Sequence, residues 1–454
     1  MANSYLNRTL GTSTNVYKGT VSHWIKRSGL GAMGTFAAWD NGGTSSNRAY
    51  LNMYQDTIYF YDEANSVIVE TNREFRDTSA WYHIVVAWDT SQVTASDRVK
   101  IYVNGVQETS FSTSNYPSQN ATLQFNTSGR TFGVGCYAAG GSAAGFFDGY
   151  ISHFAFVDGQ QLTPTTFGET DSTSGIWKFK GPTGVTWGTN GFHLKFENSG
   201  NLGLDSSGQT NNYTVNGNLK QSLDTPSNSQ CTLNPNDVMR QSGGIYKPTL
   251  SNANTTMSCG SNHNYQTFGT ISPETGKWYW EMKIDVANTT GHRIGVFFGN
   301  NKVHSGSYYY GTDAFYIHQN GEIYYNGSST TYMASYTAGD IISVAMDVTN
   351  GNIYMSKNGG ANDSTWADGS GNNNQAFPGT SINGKLSASW ISGPATPFFD
   401  VYGTNNKQSI NFGSGFFGTT AITSAGSNGN GSLFEYDVPT GYYALNTKNI
   451  NTYG

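Results

Sequence analysis

Glu281-Met-Lys-Ile-Asp285 sets two carboxylates four residues apart, a spacing that shares one face of a strand. Two converging carboxylates, one protonated and one ionised, are what glycoside hydrolysis needs. Hydrolases of that kind carry them in patterns such as Glu-x-Asp-x-x-Glu, and none occurs here. Glu281 also continues an alternating strand, so its expected role is structural and the chain is read as a non-enzyme. The eight histidines are dispersed. His83, His153 and His193 fall inside strand-like segments and are expected to be satisfied structural groups rather than ligands or bases. No Gly-x-Ser-x-Gly elbow or His-Glu-x-x-His pair is present, and Gly140-Gly141 lacks the Lys and helix of a phosphate loop. Cys136, Cys231 and Cys259 cannot all pair within one chain and match neither a disulfide framework nor a zinc spacing. They read as three reduced thiols.

The elements that would position such groups are strands. Charged residues make up 12% of the chain, about half the usual share of roughly 25%, while aromatics reach 14%. Disordered chains lack aromatics. Gly, Ser, Thr and Asn mixed with aromatic and β-branched residues point to many short strands joined by uncharged turns. The net charge of −6 and the scattered Lys and Arg offer no basic field for nucleic acid. No run approaches the ~18 apolar residues of a membrane-spanning helix. Met1 to Leu10 lacks the basic and apolar regions of a secretory leader, so assembly inside the producing cell is expected. At 454 residues the chain exceeds a single core, which usually stops growing near 250 residues.

Trp81-Tyr-His-Ile-Val-Val-Ala-Trp88 is apolar on both faces and predicts a central strand. Val99–Val103 and Val106–Phe111 flank Asn104-Gly105, the signature of a two-residue hairpin. Phe146–Val157 reads as a further strand. Gln221–Asp237, with Pro226, Pro235 and a Ser/Asn cluster, marks the boundary. In the second half, Trp278, Trp280, Met282 and Ile284 take one face of Lys277–Ile284, and Tyr279, Glu281 and Lys283 the other. Asp340–Val348 predicts a second core strand, Ile353–Lys357 runs into Asn358-Gly359, and Asn320-Gly321 gives a similar signal. Helix is expected only as single turns, chiefly at Gln160–Phe167. The expected architecture is all-β, with two antiparallel β-sandwich (jelly-roll) domains in tandem. Residues 1–222 form the first, 223–235 a linker and 236–454 the second. Both halves show strand, Asp, strand, then Asn-Gly. Any antiparallel sandwich yields that order, as would two domains of related topology.

Trp81–Asp89 followed by Lys100-Ile-Tyr-Val-Asn-Gly105 resembles the laminin-G, or concanavalin A-like, sandwich, and Phe147-Asp-Gly-Tyr-Ile-Ser152 resembles the strand that closes it. Gly276-Lys-Trp-Tyr-Trp-Glu281, Ile294-Gly-Val296, Gly339-Asp340, Ala345-Met-Asp347 and Lys357-Asn-Gly359 resemble the SPRY domain in order. Asn7-Arg-Thr9, Trp24-Ile-Lys-Arg27, Gly191–Phe196, Leu204–Gly208, Asp224–Pro226, Ile410–Gly413 and Pro439–Thr447 are similar to passages of bacteriophage virion structural proteins with this first domain.

The resemblances imply a lectin-like, non-enzymatic protein of the virion surface, assembled in the host cytoplasm. Its implied role is a capsid decoration or a head or tail fibre. Its implied partners are other virion proteins of capsid or tail and host-surface carbohydrate, in a homo-oligomer. A tail accessory or receptor-binding protein, or architecture without a ligand, are the alternatives. No cofactor is expected except calcium, which laminin-G and lectin relatives hold on loop oxygens; Asp40, Asn41 and Asp148 are the candidate ligands. SPRY domains bind through loops at one end of the sandwich, which singles out Tyr308, Tyr309, Tyr310 and Trp366 as candidate stacking residues.

Overall fold

The computed structural model describes residues 3–40, 47–237, 240–241, 244–289, 291–298, 314–325, 328–331, 333–359, 365–366, 375–376 and 394–454. The chain divides into two compact units, Met1–Gln221 and Ser222–Gly454. Each is built from antiparallel sheets, as period-two patterning predicts.

The first unit faces an eight-stranded sheet against a six-stranded one. The larger runs in the order Phe111–Asn115, Val67–Glu74, Thr57–Asp62, Arg48–Tyr54, Met33–Trp39, Thr131–Val134, Tyr5–Thr9 and Thr214–Asn216. The smaller runs Phe192–Leu194, Gly149–Asp158, Lys18–Arg27, Trp81–Asp89, Val99–Val103 and Val106–Gln107. Alternate residues point inward, so Leu51, Met53, Ile58 and Phe60 meet Tyr82, Ile84, Val86 and Trp88 in one core. Arg27 is wholly buried at the end of its strand and joins the two sheets. Its guanidinium donates to Asp56 at 2.8 Å and to the Phe75 carbonyl at 2.6 Å. Asp56 also accepts from Arg76 at 3.0 Å and from the Gly31 amide at 2.9 Å. The Asn104-Gly105 turn has positive φ at both residues, 49° and 82°, and pairs Val103 with Val106. The return strand is shorter than expected: it ends at Gln107, and the chain crosses to the other sheet as Phe111–Asn115.

The outer faces of this sandwich are covered by excursions of the chain. On the larger sheet, the hairpin Tyr137–Ala139/Ser142–Ala144 packs on Ala37 and Trp39 through Cys136 and Ala138. A Cβ on Gly34 would lie 2.0 Å from the Tyr137 amide nitrogen, so only glycine admits the hairpin there. On the smaller sheet, residues 160–190 form a strap whose Phe167, Val185 and Trp187 cover Val85, Ala155 and Val157. Each of three histidines holds one aromatic ring of this strap. His83 lies parallel to Trp24 (4.6 Å) and to Trp177 (6.0 Å), His153 stacks on Phe179 at 3.6 Å, and His193 on Trp187 at 5.8 Å. The Trp177 indole can only donate, and it does so to His83 Nδ1 at 2.9 Å. Nε2 must therefore carry the proton and donate to Ser22 Oγ at 2.8 Å. Gly105 serves twice, since a Cβ there would be strained at its φ and would strike the Trp177 ring at 2.6 Å.

The second unit pairs a seven-stranded sheet with a six-stranded one. Lys277–Val286 is central to the first, bonded to Ile341–Asp347 on one side and Lys407–Asn411 on the other. Trp278, Trp280, Met282 and Ile284 face the core with Ile294, Val296, Phe315 and Phe399. Their alternates do not face solvent. Tyr279 is covered by Phe434, Val438 and Tyr442 of the C-terminal passage, and Tyr443–Ala444 adds to the strand in parallel. Two expectations are corrected here. Residues 223–235 belong to the second unit rather than to a linker. Cys231 and Leu233 are core residues, and the Cys231 amide donates to the Leu445 carbonyl at 2.9 Å. The chain also ends in a seven-residue helix, Thr447–Tyr453, longer than a single turn and capped by Asn446.

The two segments fastened by these groups, residues 160–190 and 412–446, should respond to pH in opposite senses. Burial lowers His83 to about 3 and His153 and His193 to about 4, from 6.5. The neighbouring His23 depresses His83 further, and Lys195 depresses both His153 and His193. The last two also repel one another, with Asp205 opposing at His193. A depressed histidine contributes stability above pH 6.5 that is lost as pH falls through its folded value. Glu281 is raised from 4.5 to about 7 by burial, against donors that favour its charge. Its contribution is complete below pH 4.5 and is lost as pH rises through about 7. Hydrogen exchange on the full chain, corrected for intrinsic rates, should show protection of residues 160–190 falling from pH 6.5 to 4.5 while that of residues 412–446 rises. Glu281→Gln should abolish the second trend only. Flat protection of the strap would contradict the histidine account.

Candidate ligand-binding face

On the larger sheet of the first unit, the outer face of Arg48–Tyr54 and Thr57–Asp62 lies beyond the covering hairpin. Inward positions 49, 51, 53, 58 and 60 are apolar and buried, so alternation turns Tyr50, Asn52, Tyr54, Tyr59 and Tyr61 outward. Register sets Tyr50 opposite Tyr61 and Asn52 opposite Tyr59. The rings form a ladder: Tyr54–Tyr59 at 5.5 Å, Tyr59–Tyr61 at 5.9 Å, Tyr61–Tyr50 at 4.9 Å. Tyr137, on the hairpin, continues it at 5.5 Å from Tyr50. Tyr54 is 43% exposed and the other four are half-buried.

Arg48 closes one end. It pairs with Glu63 at 2.7 Å, donates to the Ala138 carbonyl at 3.1 Å, and stands over the Tyr50 and Tyr61 rings at 5.7 and 6.0 Å. Burial works against its charge, but the Glu63 hydrogen bond and charge outweigh that and raise its pKa. Burial raises Tyr50 from 10 to about 12 despite Arg48, and raises Tyr59 and Tyr61 as well. The phenols are therefore neutral at ordinary pH. Among the described residues, the hydroxyls of Tyr50, Tyr54 and Tyr59 make no hydrogen bond to the chain, and the buried Asn52 Oδ1 has no partner. Rings beside unengaged O–H groups can stack on a sugar and exchange hydrogen bonds with its hydroxyls. Nucleobases also stack on aromatic rings, but single-strand binding needs a basic groove, and Arg48 is already paired.

The residues singled out in the sequence lie elsewhere. Asp40 follows Met33–Trp39 and is paired with Arg130 at 2.7 Å. Asp148 precedes Gly149–Asp158, and its carbonyl accepts from the Ser28 amide. Phe147 bonds to Gly135, and Gly135 to Thr35. Asp148 is thus near Thr35, five residues and about 16 Å along the strand from Asp40. The two carboxylates do not converge, and no cluster of three metal-ligating His, Cys, Asp or Glu side chains occurs among the described residues. Asn41 and Tyr308, Tyr309 and Tyr310 lie outside the described residues. Trp366 falls in the short strand Thr365–Trp366, paired with Gln375–Ala376. Glu281 is wholly buried and accepts from Tyr279 Oη, Asn411 Nδ2 and the Glu435 and Tyr436 amides at 2.9–3.3 Å. Asp285 accepts from Ser409 Oγ at 2.6 Å. The ladder was missed although Tyr59-Phe60-Tyr61 and Tyr50-Leu51-Asn52-Met53-Tyr54 carry its alternation openly.

NMR titration of labelled tyrosine rings should find Tyr50, Tyr59 and Tyr61 still protonated above pH 10, with the Tyr50 signal absent in Tyr50→Phe. A raised phenol contributes stability below pH 10 that disappears as pH climbs through about 12. Uniform ionisation near 10 would contradict the burial described.

Residues 2–166 match the family model described as the concanavalin A-like lectin/glucanases superfamily, and residues 277–393 match the SPRY domain. No curated protein matches the chain significantly. Among solved structures, the SPRY domain of human HERC1 is 17% identical, covering 39% of this chain and 96% of its own, with a TM-score of 0.29. The PSpry domain of TRIM65 is 13% identical over 40% and 88%, TM-score 0.28. The SAP-like pentraxin from Limulus polyphemus is 18% identical over 35% and 71%, TM-score 0.27. In sequence order, the chain is thus similar to the concanavalin A-like lectin/glucanases model within its first unit and to the SPRY model within its second.

Proposed function

We propose that the chain is a non-enzymatic surface protein of a tailed-bacteriophage particle, a capsid decoration or a head or tail fibre, and that its lectin-like unit engages host-surface carbohydrate. The tyrosine ladder carries the binding half of this reading. It is an aromatic strip left open on a face whose neighbouring parts the chain covers, and among the described residues the hydroxyls of Tyr50, Tyr54 and Tyr59 make no hydrogen bond to the chain. Both matched domain types are interaction modules, which supports binding as the work of the chain. The virion half is supported by the motif order from Asn7-Arg-Thr9 to Pro439–Thr447, which is similar to that of phage structural proteins. The partners are other virion proteins of the capsid or tail. Copies associate as a homo-oligomer, for which terminal strands such as Phe111–Asn115 offer backbone groups. Assembly takes place in the host cytoplasm. A purely architectural role is the second reading, favoured by the way both units cover their own outer faces and so make rigid bricks.

Image reconstruction of the particle should place density for this chain on its exterior. Density confined to a cellular complex would overturn the virion reading and leave the fold untouched. The chain should bind host cell-wall preparations without releasing reducing ends. Tyr54→Ala, at an exposed position, should weaken that binding with Tm unchanged. Sustained release of reducing ends would contradict the non-enzymatic reading.

A further inference from the structure

The charge around the ladder narrows its ligand. Arg48 is engaged on two sides, by Glu63 and by the Ala138 carbonyl. Arg76, beyond the Tyr54 end, is held by Asp56 at 3.0 Å and Glu74 at 3.2 Å. Glu70 lies opposite Tyr59 in the next strand, and its carboxylate accepts only from Thr57 Oγ1, at 3.0 Å, among the described residues. Two cations, Arg48 and Arg76, thus stand against three carboxylates, Glu63, Glu70 and Glu74, before Asp56 is counted. A carboxylated, sulfated or phosphorylated ligand would find no unengaged cation at the ladder among the described residues, and Glu70 would repel it. Neutral phenols suit the opposite chemistry, because each O–H both donates and accepts and so matches a sugar hydroxyl in either sense. The ladder runs through four rings, and Tyr137 adds a fifth, at steps of 4.9 to 5.9 Å. That is longer than one monosaccharide.

Resting on the glycan reading above, we infer that the ladder takes an uncharged, extended oligosaccharide and excludes acidic ones, with Glu70 as the excluding residue. Binding is then insensitive to salt, since no ion pair forms with the ligand. An acidic derivative of the same backbone binds ~10-fold or more weakly, equivalent to about 1.4 kcal/mol. Glu70→Gln narrows that gap without strengthening the neutral ligand. Glu70 is a positioning residue for the ligand's charge and has no part in stacking.

The test is an array of neutral and acidic oligosaccharides probed with the full chain and with the Tyr54→Ala, Tyr59→Phe and Glu70→Gln variants. Hits confined to neutral chains, lost in Tyr54→Ala, weakened in Tyr59→Phe and unchanged between low and high salt, support the inference. So does a rise of acidic analogues in Glu70→Gln. Acidic hits that weaken with salt overturn the charge inference and leave glycan binding standing. Neutral hits indifferent to all three substitutions place the site elsewhere and overturn it too. No hits at all overturn the glycan reading itself, and this inference with it.

Discussion

A two-sheet sandwich buries one face of each sheet against the other and leaves two faces turned outward. Those outer faces must be polar, or covered, or put to use, because exposed apolar sheet invites association. This constraint organises both units. In the first, the 137–144 hairpin covers Trp39 and Ala37, and the 160–190 strap covers Val85 and Val157. In the second, residues 412–446 cover Tyr279 and Glu281. Among the described residues of the first unit, the tyrosine ladder is a strip of aromatic sheet that escapes this treatment.

The covers are fastened by polar groups as well as by apolar contact, and the fastenings account for residues that resembled chemistry. His83 takes a proton donor on Nδ1 and gives its own proton to Ser22, so neither nitrogen is left for a substrate. Glu281 accepts two backbone amides of the passage above it. Removing it would strand those amides, at a cost of about 1–3 kcal/mol each. A buried carboxylate with a raised pKa is often a sign of a catalytic acid. Here the donors come from the covering chain itself, and the carboxylate acts as its anchor.

Much of this architecture is legible in particular residues. Trp278, Trp280, Met282 and Ile284 mark a core face because side chains alternate along a strand. Asn104-Gly105 marks a tight turn because both residues tolerate positive φ. The double-sided apolar stretch Trp81–Trp88 already implies that its sheet is covered on both faces. The tyrosines at 50, 54, 59 and 61 alternate with core residues just as plainly. That their face lies open is not legible there, because alternation tells which residues share a face and says nothing of what lies over it.

Amino-acid order by itself determined the strands, the turns, the division into two β units and the scarcity of charge, since all of these follow from local geometry and composition. Tertiary structure decided the rest. Cys231 and Leu233 sit in a polar, proline-bearing passage that resembles a linker until the Leu445 carbonyl, over two hundred residues away, is found bonded to it. The helix Thr447–Tyr453 carries no amphipathic period, because Asn449 is its buried residue and Ile450 packs only in part on the core. Asp40 and Asp148, partners on paper, flank different strands: Asp40 follows Met33–Trp39 and pairs with Arg130, while Asp148 precedes Gly149–Asp158 with its carbonyl on the Ser28 amide. Long-range pairing decides which faces are covered, and coverage decides whether an aromatic residue is core, fastening or open surface.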